Sequence, residues 1–368
     1  MKKVAIVGGG LAGLVAGIEL AKKGVPCILY EKKKFPFHRV CGEYVSNEAI
    51  PFLKNAGLFP GDLNPSKISD LVLSSVRGQT ATMPLDLGGF GISRFSFDNF
   101  LAEKARAAGV EVREGTEVMA IARSGNRFTV ATAGGTADHD LVIGAFGKRS
   151  RLDIQLNRRF IRKSSPYVGV KYHAKTDHPH GVIALHNFAG GYCGVVNIEN
   201  GLTNICYLAE RRLLQRYRSV EILEKETLSA NPLLSLVLRN ADYVNRTPLV
   251  INEISFATKG PVENGILMAG DAAGMITPLC GNGMAMAIHA ASILVPLVLQ
   301  FCTAAIDKTT LESQYEVQWK KNFAGRLRTG RAVQRLFGST GMSDLAIRIT
   351  RFAPMARLIM KNTHGRPF

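Results

Sequence analysis

Acidic residues are in short supply: 29 aspartates and glutamates against 46 lysines and arginines give this 368-residue chain a formal charge of +17. The shortage is steepest at the end. From Lys320 to Phe368 eleven basic residues face Asp344 alone, so this stretch supplies eleven minus one, or +10, of the total. Apolar groups are interleaved there, including Leu345-Ala346-Ile347 and Leu358-Ile359-Met360. Such a segment can lie on an anionic membrane surface or dock an acidic carrier protein, and it can equally be a solvated helical cap. Nucleic acid is not an expected partner, because no recognition motif accompanies the charge.

Other scarcities narrow the class further. The six cysteines (27, 41, 193, 206, 280 and 302) show neither metal-ligand spacing nor a disulfide framework, so they read as reduced thiols. His173, His178, His180 and His186 cluster in sequence without ligand spacing, and no metal is expected. No Ser-His-Asp arrangement stands out, and internal repeats and low-complexity linkers are missing. The first β-branched run begins by residue 3, which leaves no room for a leader and points to the cytoplasm, with the membrane periphery open to a docking tail. The apolar run Met284–Phe301 carries His289, Ser292 and Pro296 and much alanine, which suits a buried helix better than a membrane span. At this length two domains are expected, each with its own core.

What is present begins at once. Val4-Ala5-Ile6-Val7-Gly8-Gly9-Gly10-Leu11-Ala12-Gly13 is a G-x-G-x-x-G between a buried-strand pattern and a helix pattern over 12–23. Glycines there let the backbone approach a pyrophosphate held at the helix N-terminus. The next strand, Pro26–Tyr30, ends at Glu31, eighteen residues after Gly13. A carboxylate at that point can accept both hydroxyls of an adenosine ribose and would repel a 2′-phosphate. This is the pattern of a dinucleotide site, with Gly8, Gly10, Leu11, Ala12, Gly13 and Glu31 as its candidates. Only one such fingerprint is present. A second, unlike motif comes late: Gly265-Ile266-Leu267-Met268-Ala269-Gly270-Asp271-Ala272-Ala273-Gly274, then Pro278 and Gly281-Asn282-Gly283 opening a helix.

Together these motifs resemble the geranylgeranyl reductase family within the para-hydroxybenzoate hydroxylase class of two-domain flavoproteins. The resemblance runs over roughly residues 3–300 and leaves the basic tail unexplained. In that class a late Gly-Asp closes over the ribityl and pyrophosphate of FAD, which assigns Gly270, Asp271, Pro278, Gly281, Asn282 and Gly283 to the flavin. Arg39-Val40-Cys41-Gly42-Glu43 matches the family's Cys-Gly segment beside the flavin ring, and Arg94-x-x-Phe97-Asp98 its helix entry. Arg39, Cys41, Gly42 and Arg94 therefore join the cofactor set. The chain also departs from the pattern. Gly194 and Val195-Val196-Asn197 replace the family's Trp and Phe-Pro in the substrate hairpin, and Phe146 stands where hydroxylase relatives have an acid. Flavin halogenases share the architecture but need a Trp-x-Trp-x-Ile segment, and the single tryptophan is Trp319. A halogenase is not expected on that ground.

The resemblance implies an α/β fold: a Rossmann-like FAD-binding domain with an inserted antiparallel-sheet substrate domain and a helical C-terminus. The expected boundaries are 1–66, 92–157 and 258–310 for the FAD domain, 67–91 and 158–257 for the substrate domain, and 311–368 for the basic helical segment. Cys41 is the candidate catalytic residue, a thiolate favoured by nearby positive charge or simply a small group lining the pocket. Tyr172 and Tyr192 are candidate substrate contacts, and Asp98 reads as a helix N-cap. The expected activity is that of an FAD-dependent oxidoreductase transferring hydride from reduced flavin N5 to a double bond of a hydrophobic, isoprenoid- or polyketide-like small molecule. Two rivals stay open: an FAD-dependent monooxygenase acting on an aromatic or polyketide substrate, and a catalytically idle FAD-binding scaffold. With one nucleotide fingerprint, electrons come from transiently bound NAD(P)H or from a ferredoxin-like carrier.

Overall fold

The computed structural model describes residues 2–163, 165–334, 338–352, 354–355 and 365–368. The β-branched run at the start forms the strand Val4–Val7, buried at every position and hydrogen-bonded on both sides. Such a strand must be central, and it lies third from one edge of a six-stranded sheet. The order is Val262–Glu263, Ile266–Met268, Leu141–Gly144, Val4–Val7, Cys27–Tyr30 and Glu111–Arg113. All pairs are parallel except the Val262–Glu263 edge. Helices Leu11–Lys22, Arg94–Ala107 and Gly283–Cys302 pack together against it. The fold is thus a mixed α/β, Rossmann-like FAD-binding core with an inserted β-sheet unit and C-terminal helices.

The insert is a nine-stranded sheet built on Tyr167–Lys175, Thr203–Glu210, Gly191–Asn197, Gly181–Phe188, Ser66–Ser74 and Thr80–Gly91 in that order. Antiparallel pairing dominates, as expected, but Ser66–Ser74 runs parallel to Gly181–Phe188 because a hundred residues of chain separate them. Strand alternation gives this sheet two unlike faces. One buries Val168, Val170, Tyr172, Val195, Ile205 and Tyr207 beneath the helices Arg211–Tyr217, Val220–Glu226 and Pro232–Asn240. Arg218, at φ +55°, ends the first of these helices. The other face turns toward the dinucleotide fold. Glu111–Arg113 joins the parallel sheet, and Val118–Ser124, Arg127–Thr132 and Gly135–His139 form a small antiparallel layer.

Gly283–Cys302 is long and apolar enough to cross a membrane by length and composition, but it is mostly buried between Leu11–Lys22 and the following helix Lys308–Gln334. Lys308–Gln334 sets Leu311, Tyr315, Trp319, Phe323 and Leu327 into the core, so the lone tryptophan is a packing residue. Phe368 stacks on His289, with ring centroids 4.1 Å apart and 10° between planes. Beneath it Arg326 pairs with the buried Glu48 at 2.7 Å. Part of the basic tail is therefore folded structure. Leu358–Met360, with Arg335, Arg357 and Lys361, lies outside the described residues.

Candidate functional site

The glycine loop is shaped by contacts that leave no room for side chains. Gly8 has φ +111°, and a Cβ there would lie 2.3 Å from the Ala145 carbonyl oxygen. A Cβ on Gly13 would come within 2.1 Å of the Gly8 carbonyl oxygen. Gly10 caps the first helix with no side chain of its own, so the first-turn amides remain open to an anion. The nearest group above Gly10 is the Arg94 guanidinium, 3.6 Å from where a Cβ would be. A pyrophosphate fits here: bare amides below, a cation above.

Charge around that loop is tightly arranged. Glu31, almost fully buried, accepts from the Gly9 N–H at 2.9 Å, the Lys33 N–H at 3.0 Å and Arg39 Nη2 at 3.1 Å. Arg39 Nε donates to Asp98 at 2.9 Å, and Arg94 grips the same carboxylate with Nε at 2.7 Å and Nη2 at 2.8 Å. The N-cap reading of Asp98 is corrected. Ser93 caps the helix by accepting from the Ser96 N–H, and Asp98 lies one turn in, where it aims two arginines at the loop.

The late motif closes on the early one. Gly270, at φ +61°, brings its Cα against Ala12, with 3.3 Å between Ala12 Cβ and a notional Cβ. Burial raises the Asp271 carboxyl above the usual range, and Lys259, Arg94, Lys148 and Arg39 pull it back only in part. Lys259 is itself driven down to about 8 by burial while donating to the Asp271 carbonyl at 2.8 Å. A half-buried carboxyl influenced by four cations suits a hydrogen bond from a ribityl hydroxyl. Pro278 opens a short turn ending at Gly281, at φ +64°, and the buried Asn282 precedes the helix that starts at Gly283.

Beside this cradle lies a cluster that the sequence reading passed over. Glu43 is fully buried at φ +55°, and its carboxylate accepts from Lys171 Nζ, from the Arg94 N–H at 2.7 Å and from His173 Nε2 at 2.6 Å. Burial works to raise this carboxyl, but Lys171 and His173 outweigh it and hold it below the usual range. His38 stacks on Phe95 and meets His173 edge-on at 5.3 Å. The signal was available. Lys171 and His173 share one face of an otherwise apolar strand, and a buried cation there requires a buried acid.

Cys41 is half-buried, and its carbonyl accepts from Asn204 Nδ2 at 3.2 Å. Burial pushes its thiol up, more than Arg94 and Lys171 draw it down, so the thiolate expected from nearby charge is not favoured. Next to it, a Cβ on Gly42 would meet no atom within 4 Å, which leaves that backbone open to a ligand. Tyr172 is on the far face of the sheet, where its hydroxyl donates to Glu224, so it does not line the side facing the dinucleotide fold. Tyr192 does. It belongs to an apolar layer with Leu73, Met83, Leu185, Leu208 and Phe256, and Met275 and Leu279 of the flavin loop pack against that layer.

Comparison with known proteins agrees with this arrangement. The FAD binding domain family matches residues 1–316. The chain belongs to that family. Its cofactor is FAD, and the cradle just described fits it. Digeranylgeranylglycerophospholipid reductase 2 of Methanopyrus kandleri is 24% identical over 93% of this chain and 88% of that protein. The 1H-pyrrole-2-carbonyl-[peptidyl-carrier protein] brominase of Pseudoalteromonas luteoviolacea is 34% identical over 30% of this chain and 28% of its own. The crystal structure of CmlS, a flavin-dependent halogenase, has a TM-score of 0.80 at 22% identity, over 98% of this chain and 70% of that one. Further flavin-dependent halogenase and brominase structures have TM-scores of 0.76 to 0.80. The expectation of a hydride-transferring reductase is corrected here: the solved structures that share this fold over 97–99% of the chain include flavin-dependent halogenases, at no more than 22% identity. The shared fold also means that lacking the Trp-x-Trp-x-Ile segment does not set the chain apart from the halogenase fold.

Proposed function

We propose that the protein is an FAD-dependent monooxygenase acting on a small hydrophobic substrate, aromatic or polyketide-like, presented free or on a carrier protein. The observation that carries this is the shared wall. Met275 and Leu279, in the loop that follows Gly270-Asp271, pack against the apolar layer of Leu73, Met83, Leu185, Tyr192 and Leu208. A water-poor compartment against the flavin loop is what oxygen insertion needs, because water entering there would divert the activated oxygen. The carrier-bound form is supported by the matched brominase, named for a carrier-linked pyrrole.

When bound and reduced, FAD supplies oxygen activation. The chain supplies the rest. Arg39 and Arg94, aimed by Asp98, neutralise the pyrophosphate; Glu31 holds the ribose; Asp271 accepts from the ribityl chain. The amides opening Gly283–Cys302 stabilise negative charge on the reduced ring. The apolar sheet face orients the substrate and excludes water, with the Tyr192 hydroxyl as a polar group within it. Glu43, Lys171 and His173 lock the Cys41-Gly42 loop to the sheet, and His38 offers a proton-exchanging group beside it. Electrons arrive from transiently bound NAD(P)H or a reduced carrier, since a second nucleotide fingerprint is missing from the sequence.

The test uses dithionite-reduced enzyme, a panel of alkyl-substituted phenols and labelled dioxygen. The expected product forms only on admitting oxygen and carries one oxygen-18 atom. Anaerobic conversion with recovery of flavin colour, or a halogenated product dependent on added bromide or chloride, would refute it. Flavin re-oxidation with no product from any substrate would mark an idle scaffold.

A further inference from the structure

The helix Thr340–Arg351 lies across the substrate sheet on Ser66–Ser74 and Thr80–Gly91. Its inner side is fixed by few polar bonds. The Val76 N–H donates to Ser343 Oγ at 3.4 Å, Arg77 Nη1 to Asp344 at 3.3 Å and Arg351 Nε to the Thr80 carbonyl at 3.0 Å. Ala346 and Ile347 are buried on that side, Ile347 in the same apolar layer as Leu185 and Tyr192. The helix is thus an outer wall of the compartment assigned to the substrate.

Its outer side is unusual for a protein surface. Met342, Leu345 and Phe352 follow one another at helical spacing, and Met355 continues past the helix end. All four are exposed, Leu345 to 46% and Phe352 to 62%. Arg348 and Arg351 are exposed among them, and Arg77 projects beside the helix with its side chain 70% accessible. Asp344, the one acid from Lys320 to Phe368, is turned inward and paired with Arg77. An apolar ridge edged by arginines, with no outward acid among the described residues of its own helix, suits a fluid anionic surface: the ridge enters the acyl boundary and the arginines meet headgroup phosphates. A folded protein partner would need a groove shaped to the ridge.

We propose that this helix, with Phe352 and Met355, docks the protein on an anionic lipid surface, so that the wall of the substrate compartment faces the membrane. The docking rests on the helix alone. Only its use for substrate entry rests on the function proposed above, and binding is measured without turnover, so either can fail separately.

The experiment is vesicle co-sedimentation of the FAD-loaded full chain. The vesicles are pure phosphatidylcholine or phosphatidylcholine with one third phosphatidylglycerol. Wild type is expected to partition at least tenfold more to the anionic vesicles at low salt, and most of that preference should disappear in 0.5 M salt. Leu345→Asp and Phe352→Asp should each lower anionic binding about tenfold, and Arg348→Glu should lower it several-fold. These side chains point outward, so FAD content and melting temperature should stay at wild-type values, which shows that the variants fold. Wild-type binding that ignores lipid charge, or Leu345→Asp and Phe352→Asp binding as well as wild type, overturns the proposal. So does capture by an acidic carrier protein with no vesicle binding.

Discussion

The dinucleotide cradle and the apolar layer beside it are built on opposite principles. The cradle is made of backbone and charge: Gly8, Gly10 and Gly13 strip away side chains, while Glu31 and Asp98 aim Arg39 and Arg94. The apolar layer is made of side chains alone, drawn from Ser66–Ser74, Thr80–Gly91, Gly181–Phe188, Gly191–Asn197 and Thr203–Glu210, with Ile347 from the closing helix. Phosphate recognition needs amides and cations at fixed positions, so it tolerates almost no change. A hydrophobic compartment needs only shape and dryness, and many sequences satisfy that. On the function proposed above, FAD binding is therefore the rigid half of the molecule and substrate choice the adjustable half.

The hardest break of that contrast is Gly8→Ala. The new Cβ would lie 2.3 Å from the Ala145 carbonyl oxygen at a φ of +111°. Backbone on both sides must move, and such strain costs about 3 kcal/mol or more. FAD affinity is expected to fall more than about 100-fold, read by fluorescence titration of apoprotein. Affinity within fivefold of wild type would show the cradle to be as forgiving as the apolar layer.

How much of this was readable in the sequence follows the same division. The cradle lies in three short segments, each with a local pattern, so the strand–glycine–helix entry, Glu31 and Gly270-Asp271 could be recognised one by one. Their meeting could not be measured: nothing local says that Gly270 touches Ala12. Asp98 was misread because a carboxylate near a helix start has two uses, and only the positions of Arg39 and Arg94 separate them. Tyr172 and Tyr192 lie on opposite faces of one sheet, a matter of register rather than composition. The reaction type was least legible. It depends on the apolar layer, whose residues come from segments more than 250 residues apart, and there the resemblance pointed to reduction.

A gentler probe works from the adjustable side. Gly194 sits on the face carrying Leu185 and Tyr192, and a Cβ there would meet only Leu185 Cδ2 at 3.5 Å and the Cys206 carbonyl at 3.6 Å. Those are ordinary contacts, so Gly194→Leu should fold while filling part of the compartment. KM for the accepted substrate is expected to rise about tenfold, or about 1.4 kcal/mol, with FAD affinity unchanged within twofold. An equal loss of both would mean that the two halves are mechanically one.

The smallest effect concerns Cys41, at the seam between the halves. Burial raises its thiol above the ordinary value, against the weaker pull of Arg94 and Lys171. A raised thiol is neutral at pH 7, and its nucleophilic thiolate gains population only as the pH climbs past the ordinary cysteine range. Iodoacetamide labelling of Cys41, followed by peptide mass spectrometry, should be slower at pH 7.5 than that of an unstructured cysteine peptide. Its rate should still be rising at pH 9.5, where the peptide has levelled off. Cys206, raised to about 12 by burial on the same face, should label more slowly still. Faster labelling of Cys41 than of the peptide at pH 7.5 would restore the thiolate. It would also mean that the seam takes its electrostatics from the charged cradle rather than from the apolar layer.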